Sequence, residues 1–128
     1  MVHTYLLGDW MTNLMPQVAE ILDGTDMEVL VYSGDKDWIC NWRGGEAWTL
    51  DTKWGSQEQF AAQDYESWSV NGTAAGEMRQ YGNLHFLRVY EAGHMVPMDQ
   101  PENALAMLTR FIQNDWTLSS EESVEIMQ

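Results

Sequence analysis

Two short apolar runs dominate the pattern of hydrophobic and polar positions along the chain. Residues 28–33 and 84–90 are rich in Val, Leu and aromatic side chains, and they predict buried strands. Apolar and polar residues alternate at 66–70, which predicts a half-exposed strand, and residues 76–81 predict another. The pattern therefore predicts a sheet built from these segments.

Apolar residues at helical spacing predict helices around this sheet. Four helices are predicted: the first covers 11–23, the second starts at Arg43, the third covers Ser56 to Ala62, and the last covers 101–115. We expect Asp9 to cap the first and Ser56 the third. The expected buried positions are Ala47, Trp48 and Leu50 in the second helix, and Ala104, Leu105, Leu108, Phe111 and Ile112 on one face of the last. Together the elements predict an α/β fold.

Each of the two apolar strands is followed by a glycine and then an ionisable side chain. Gly34 precedes Asp35 and Asp37, and Gly93 precedes His94. Catalytic groups of open α/β sheets collect beyond the carboxyl ends of the strands. Asp before His is the second half of the Ser, Asp, His order of α/β-hydrolases. However, none of the seven serines lies in a Gly-x-Ser-x-Gly nucleophile elbow.

Two stretches carry a resemblance to a known family. The sequence VYSGDKDWICNW at 31–42 and the sequence GHMVPMDQP at 93–101 closely resemble the C-terminal part of the serine carboxypeptidases. The resemblance covers roughly residues 8–116. It implies that residues 1–128 form the C-terminal portion of one α/β-hydrolase domain, with an incomplete sheet and flanking helices. We expect the acidic tail, 117–128, to be frayed.

Candidate site residues follow from the chemistry and from this resemblance. A catalytic triad needs an imidazole base and a carboxylate that orients it. By resemblance the base is His94, whereas His3 and His85 are expected to be ordinary histidines. Chemistry alone leaves Asp35 and Asp37 open as the orienting group, and the family sequence Asp-Phe-Ile-Cys-Asn implies Asp37. The resemblance further implies that Cys40 and Met95 line the substrate pocket.

The implied activity is the release of C-terminal amino acids from peptides through an acyl-enzyme. Because the chain lacks the nucleophile, we expect it to be inactive alone and to need the N-terminal part of the enzyme, which carries the Ser. Two alternatives stay open: an acyltransferase on the same scaffold, and a non-catalytic relic or binding module. The carboxypeptidase interpretation predicts an exposed sheet edge and an apolar patch, whereas a relic would cover its apolar faces internally.

No metal or cofactor is predicted. Asp35 and Asp37 have the spacing that begins a calcium loop, but Ile39 and Cys40 then occupy positions that need Asp or Asn and Gly. A single cysteine also excludes an internal disulfide.

Composition limits the partners and the setting of the protein. The 128 residues carry a net charge of −14, which argues against nucleic acid and anionic membranes as partners. No apolar run is long enough to span a membrane, and no signal peptide pattern opens the sequence. Asn71-Gly72-Thr73 is an N-glycosylation acceptor, which we expect in a surface loop before a turn at Ala75-Gly76. With the resemblance, this predicts a vacuolar, lysosomal or secreted protein.

Overall fold

The structure is a computed structural model that describes residues 12–117. The elements, in chain order, are α1 (Met15–Gly24), β1 (Val29–Gly34), α2 (Trp42–Asp51), α3 (Gln57–Ala61), β2 (Glu66–Val70), β3 (Thr73–Tyr81), β4 (Leu84–Val89), α4 (Val96–Asp99) and α5 (Pro101–Gln113). The predicted strands and helices are all present, with bounds that differ by a few residues. The predicted Asp9 cap and nearly all of the tail lie outside the described residues.

The strands form one mixed sheet in the order β1-β4-β3-β2. β1 and β4 are parallel, with a register that runs from Val29 opposite Leu84 to Gly34 opposite Val89. The other two pairings are antiparallel. Because β1 and β4 are adjacent and parallel, their carboxyl ends lie side by side, and the loops that carry Asp37 and His94 leave the sheet together.

Helices cover both faces of the sheet. Side chains alternate across a strand, so Leu84 and Phe86 of β4 face one side while Leu87 and Val89 face the other. The first pair packs in a cluster with Leu22, Trp54 and Phe60 from the α1–α3 side. The second pair packs with Val96, Ala106 and Met107 from α4 and α5, and with Trp68, Val70, Ala75 and Met78 of the sheet. The sheet therefore lies between two helical layers.

The prediction of a turn at Ala75-Gly76 is wrong. Both residues lie buried inside β3, and the chain reverses instead at Asn71-Gly72, which joins β2 to β3. Asn71 and Gly72 have φ values of 51° and 72°, the left-handed conformation that a two-residue hairpin requires. Gly76 is needed inside the strand because a Cβ there would collide with the backbone carbonyl of Arg88 on β4.

The buried sides of two helices also differ from the prediction. In α2, Ala47 is exposed and Thr49 is buried, and Asn41 caps the helix by accepting the Gly44 N–H at 3.0 Å. Ser56 stands at the N-cap of α3 without a capping side-chain hydrogen bond. In α5 the side facing the sheet consists of Ala104, Ala106, Met107, Thr109 and Arg110, whereas Leu105, Leu108 and Ile112 are exposed. The larger aliphatic side chains of α5 therefore lie on its outer face.

Candidate active site

Backbone contacts hold together the two loops that follow β1 and β4. We call residues 34–41 the Asp loop and residues 90–95 the His loop. The N–H of Asp35 donates to the Val89 carbonyl, and that of Lys36 to the Ala92 carbonyl, both at 2.9 Å. The Lys36 ammonium also pairs with the Glu91 carboxylate. At Gly34 the backbones are so close that a Cβ would lie 2.6 Å from the Ala92 carbonyl carbon.

Asp37 uses both carboxylate oxygens within this arrangement. Oδ1 accepts the N–H groups of Ile39 and Cys40, at 2.9 and 3.1 Å. Oδ2 lies 2.9 Å from Nδ1 of His94, a residue 57 positions further along the chain. Mainly the hydrogen bond from His94, and then those two backbone N–H groups, hold the pKa of Asp37 below its ordinary value. The carboxylate is thereby fixed in its ionised form and in one orientation.

The two members of this pair differ in exposure. The Asp37 side chain is only 7% exposed, whereas that of His94 is 61% exposed. With Nδ1–H donating to Asp37, the lone pair of the imidazole lies on Nε2. The arrangement can therefore accept a proton from a nucleophile at Nε2 and stabilise the imidazolium that forms.

Asp35, the other aspartate of the Asp loop, has a different environment. Its Oδ2 lies 3.9 Å from Nη2 of Arg88, and its buried Oδ1 has no hydrogen-bond partner among residues 12–117. Arg88 in turn pairs with Glu77 at 3.3 Å and lies over the Trp42 ring at 4.2 Å. Asp37, and not Asp35, is therefore the aspartate of this loop that contacts His94.

Short helix α4, which was not predicted from the sequence, fixes the His loop. Asp99, its last residue, accepts the Gly93 N–H on Oδ2 at 2.7 Å, directly before His94. Gln100 donates from Nε2 to the Glu91 carbonyl at 3.2 Å. The sequence signal was the proline at 97, because proline is favoured in the first turn of a helix.

Other predicted site residues surround the pair. Cys40 and Met95 are both exposed, one on each loop. Trp38 and Ile39 next to Cys40 are exposed as well, so the pair is flanked by apolar side chains. One donor atom from each of Asp37, Cys40 and His94 lies within 4.8 Å of the other two. Cys40 therefore lies close to the Asp37–His94 pair, and Met95 is the residue that follows His94 in the chain.

His85 and Asn71 lie in other parts of the structure. His85 is buried in β4, where Nε2 contacts Oε2 of Glu28 at 2.7 Å and Nδ1 contacts Oε1 of Gln80 at 3.1 Å. His3 lies outside the described residues. Asn71 is exposed at the tip of the β2–β3 hairpin, so its side chain is open to modification.

The fold and the order of the pair together define the class of protein, which is an α/β-hydrolase. In agreement, the structure is similar to the Kex1Δp prohormone-processing carboxypeptidase of Saccharomyces cerevisiae, with a TM-score of 0.76 and 25% identity over 88% of this chain and 25% of that one. A family model described as serine carboxypeptidase matches residues 1–114. The chain belongs to the serine carboxypeptidase family, as its sequence motifs predicted.

Curated relatives agree with this assignment. Carboxypeptidase Y of Candida albicans is 47% identical over 85% of this chain, and that of Saccharomyces cerevisiae is 44% identical over 87%. A serine carboxypeptidase-like protein of Oryza sativa is 43% identical over 93%. The matched region makes up 20%, 21% and 28% of these three relatives, respectively, so the chain spans only a fifth to just over a quarter of their length. Within residues 12–117, no helix has the length and apolarity to cross a membrane.

Proposed function

We propose that this chain supplies the general base and its orienting carboxylate to a serine carboxypeptidase. The observation that carries the proposal is the 2.9 Å contact between Nδ1 of His94 and Oδ2 of Asp37, at the carboxyl ends of adjacent parallel strands. The nucleophilic serine comes from another segment, because no serine of this chain lies in a nucleophile elbow. The chain alone is then inactive.

The mechanism uses the two ring nitrogens of His94 in different roles. Nε2 takes the proton of the serine hydroxyl as its oxygen attacks the carbonyl carbon of the last peptide bond. Asp37 holds Nδ1–H and stabilises the imidazolium. His94 then gives the proton to the departing amino acid, and a water molecule activated in the same way releases the acyl group. Exposed Cys40 and Met95 contact the substrate beside this base.

The outer surface of the segment supports the need for a second part. Among residues 12–117, β1 pairs only with β4, so its other edge offers unpaired backbone groups. Next to it lies an apolar groove of about 390 Å³, whose lining includes Leu30, Tyr32, Pro97, Leu105 and Leu108. The side chains of Leu108 and Ile112 are 45% and 63% exposed. A strand and apolar surface from the segment that carries the serine would cover this region, as the carboxypeptidase interpretation predicts.

We propose that the protein resides in the vacuole or the lysosome, or is secreted. Exposure of Asn71 allows glycosylation of the Asn71-Gly72-Thr73 acceptor. The substrates are peptides with a free C-terminus.

The test begins with the protein in its native source. An extract is labelled with a fluorophosphonate, which reacts with activated serines, and is then captured with an antibody against residues 99–116 and sized with and without reductant. We expect a labelled species much larger than this chain. Recovery of only a small, unlabelled chain would refute the proposal and favour a relic or binding module.

A variant set then assigns the base. In the captured enzyme, we expect His94→Gln to reduce hydrolysis of an N-blocked dipeptide by about 10²- to 10⁴-fold, which is the usual contribution of a general base. His3→Gln, which removes an imidazole elsewhere in the sequence, is the matched control and should keep full activity. An unchanged rate in His94→Gln would exclude this residue as the base. Hydrolysis that is outcompeted by transfer to an added alcohol would identify an acyltransferase instead.

A further inference from the structure

One guanidinium contacts both loops of the candidate active site. Arg88 is the last residue but one of β4 and lies on the same face of the sheet as Phe86, towards α2. There it contacts a residue of the Asp loop, the first residue of α2 and the first residue of the His loop. We propose that Arg88 is a positioning residue, which holds the two loops at the distance that the Asp37–His94 pair requires.

The contacts of Arg88 combine ion pairing and stacking. Its Nη2 lies 3.9 Å from Oδ2 of Asp35, and its Nη1 donates to Oε2 of Glu77 at 3.3 Å. The guanidinium carbon lies 4.2 Å from the centre of the Trp42 ring and 5.4 Å from that of Tyr90, both within the range of cation–π contacts. A planar guanidinium can pair at its edge and stack with its face at the same time, which the ammonium of a lysine cannot do.

Asp35 is the group through which a loss of Arg88 would reach the site. The Asp35 side chain is 15% exposed, and its buried Oδ1 has no hydrogen-bond partner among residues 12–117. Within that part of the chain, its one ion pair closer than 4.0 Å is with Arg88. A buried carboxylate that loses its counter-charge is strongly destabilised, so the chain around it moves until water reaches it. Asp37 follows two residues later, and this movement takes it away from His94.

Tyr90 connects Arg88 to the His loop. The backbone N–H of Tyr90 donates to the Ala75 carbonyl of β3 at 2.9 Å. Burial, and then a hydrogen bond to Glu77, raises the pKa of the Tyr90 hydroxyl above its ordinary value. Because Glu77 also accepts from Arg88, the start of the His loop is tied to the guanidinium that pairs with Asp35.

Arg79 offers a matched control, because it makes the same kinds of contact with residues outside both loops. It lies on β3 opposite Phe86, and therefore on the same face of the sheet as Arg88. Its Nη2 is 3.5 Å from Oε1 of Glu46, and its guanidinium carbon is 4.6 Å from the centre of the Tyr65 ring. Substitution of Arg79 thus removes a comparable ion pair and stack while both loops keep their contacts.

The geometry is tested by NMR on the 128-residue chain, under conditions where urea unfolding shows each variant to be folded. Arg88→Met keeps most of the stem, and Arg88→Lys keeps the charge. In both we expect the His94 Nδ1 proton resonance to disappear or move upfield, and the pKa of Asp37 to rise towards its ordinary value as its hydrogen bond from His94 weakens. Arg79→Met and Arg79→Lys should leave both signals unchanged. Arg88→Lys, the milder change, decides the result if Arg88→Met does not fold.

Three outcomes would overturn the inference. The first is a set of signals in the Arg88 variants that matches the unaltered chain. The second is an equal change in the Arg79 variants, which would indicate a general loss of packing. The third is full recovery in Arg88→Lys, which would show that positive charge is sufficient without the pairing and stacking of a guanidinium.

A double variant tests the route through Asp35. Arg88→Met combined with Asp35→Asn removes the buried charge together with its partner. We therefore expect the His94 Nδ1 proton resonance that is lost in Arg88→Met to return. If the resonance stays absent, Asp35 is not the link between Arg88 and the pair.

Where it concerns hydrolysis, the positioning role of Arg88 rests on the proposed function. In the captured enzyme we expect Arg88→Lys to lower kcat by about 10- to 100-fold with KM changed by less than about twofold, because a displaced base affects the transition state more than substrate binding. Arg79→Lys should keep the full rate, and an unchanged kcat in Arg88→Lys would refute the role in catalysis. The NMR signals need no hydrolysis. If they change as expected but no fluorophosphonate-labelled species is captured, the proposed function fails while the positioning of the pair by Arg88 stands.

Discussion

Replacing Gly34 by alanine should separate the two loops that form the Asp37–His94 pair. The new Cβ would lie 2.6 Å from the carbonyl carbon of Ala92 and closer still to the carbonyl oxygens of Ala92 and Gly93. Ordinary carbon contacts begin at about 3.5 Å, so the His loop must move by at least about 0.9 Å. These are backbone atoms on both sides, so no side chain can rotate to relieve the contact.

The displacement can be converted into two measurable effects. Overpacking of this kind costs typically about 1–3 kcal/mol of folding free energy. With an m-value of roughly 1.5 kcal/mol/M, a loss of about 2 kcal/mol lowers the urea midpoint by roughly 1.3 M. If the shift reaches His94 in full, the 2.9 Å contact with Asp37 lengthens to about 3.8 Å, which is beyond a hydrogen bond. The pKa of Asp37 should then rise towards its ordinary value, because that hydrogen bond is the main cause of its lowering.

The assay combines urea unfolding, followed by tryptophan fluorescence, with an NMR titration of the aspartate carboxyl carbons. Gly24→Ala is the matched control, because a Cβ there meets no atom within 4 Å. It should leave the pKa of Asp37 unchanged and alter stability by no more than about 1 kcal/mol. If Gly34→Ala behaved like Gly24→Ala in both measurements, the close approach of the two loops would not set the geometry of the pair.

Three other substitutions test separate contacts. Because folding lowers the pKa of Asp37, the ionised carboxylate stabilises the fold above its ordinary pKa. This stabilisation is lost as the pH falls through the lowered pKa. The urea midpoint of Asp37→Asn should therefore fall less steeply in acid than that of the unaltered chain. Asp99→Asn weakens the acceptor for the backbone N–H of Gly93, which precedes His94. The NMR resonance of the His94 Nδ1 proton should therefore broaden or shift upfield. An unchanged resonance would exclude a positioning role for Asp99. Phe86→Ala removes a fully buried ring and should cost about 3–5 kcal/mol in urea unfolding, whereas Leu108→Ala, at a half-exposed position, should cost under half of that.

The sequence predicted the strands well because each is encoded locally. Runs of β-branched, leucine and aromatic residues at 28–33 and 84–90 are long and apolar, and they became the parallel pair of the sheet, β1 and β4. The parallel pairing itself could not be read from the runs, yet it is what brings Asp37 to His94. The family motifs supplied this information, because they place both residues at the ends of adjacent strands.

The errors came from features that depend on packing. Periodicity identified an apolar face on α5 but could not tell that the alanine-rich side, with Ala104 and Ala106, would face the sheet. Ala75-Gly76 looks like a turn in isolation, and only the close approach of Arg88 on the neighbouring strand explains a glycine there. Sequence spacing alone could not show that Cys40 lies close to Asp37 and His94, and the expectation that it lines the same site came from the family resemblance.

Contacts among residues 12–117 orient the Asp37–His94 pair. The Asp loop is fixed by its own turn and by hydrogen bonds to Val89 and Ala92, and the His loop by Asp99. The described residues therefore supply orienting contacts to both members of the pair. By contrast, the open edge of β1 and the apolar groove beside it have no cover among residues 12–117. In the proposed enzyme, assembly would then bring a nucleophile to a base that is already oriented, and it would bury the surface that makes the isolated segment incomplete.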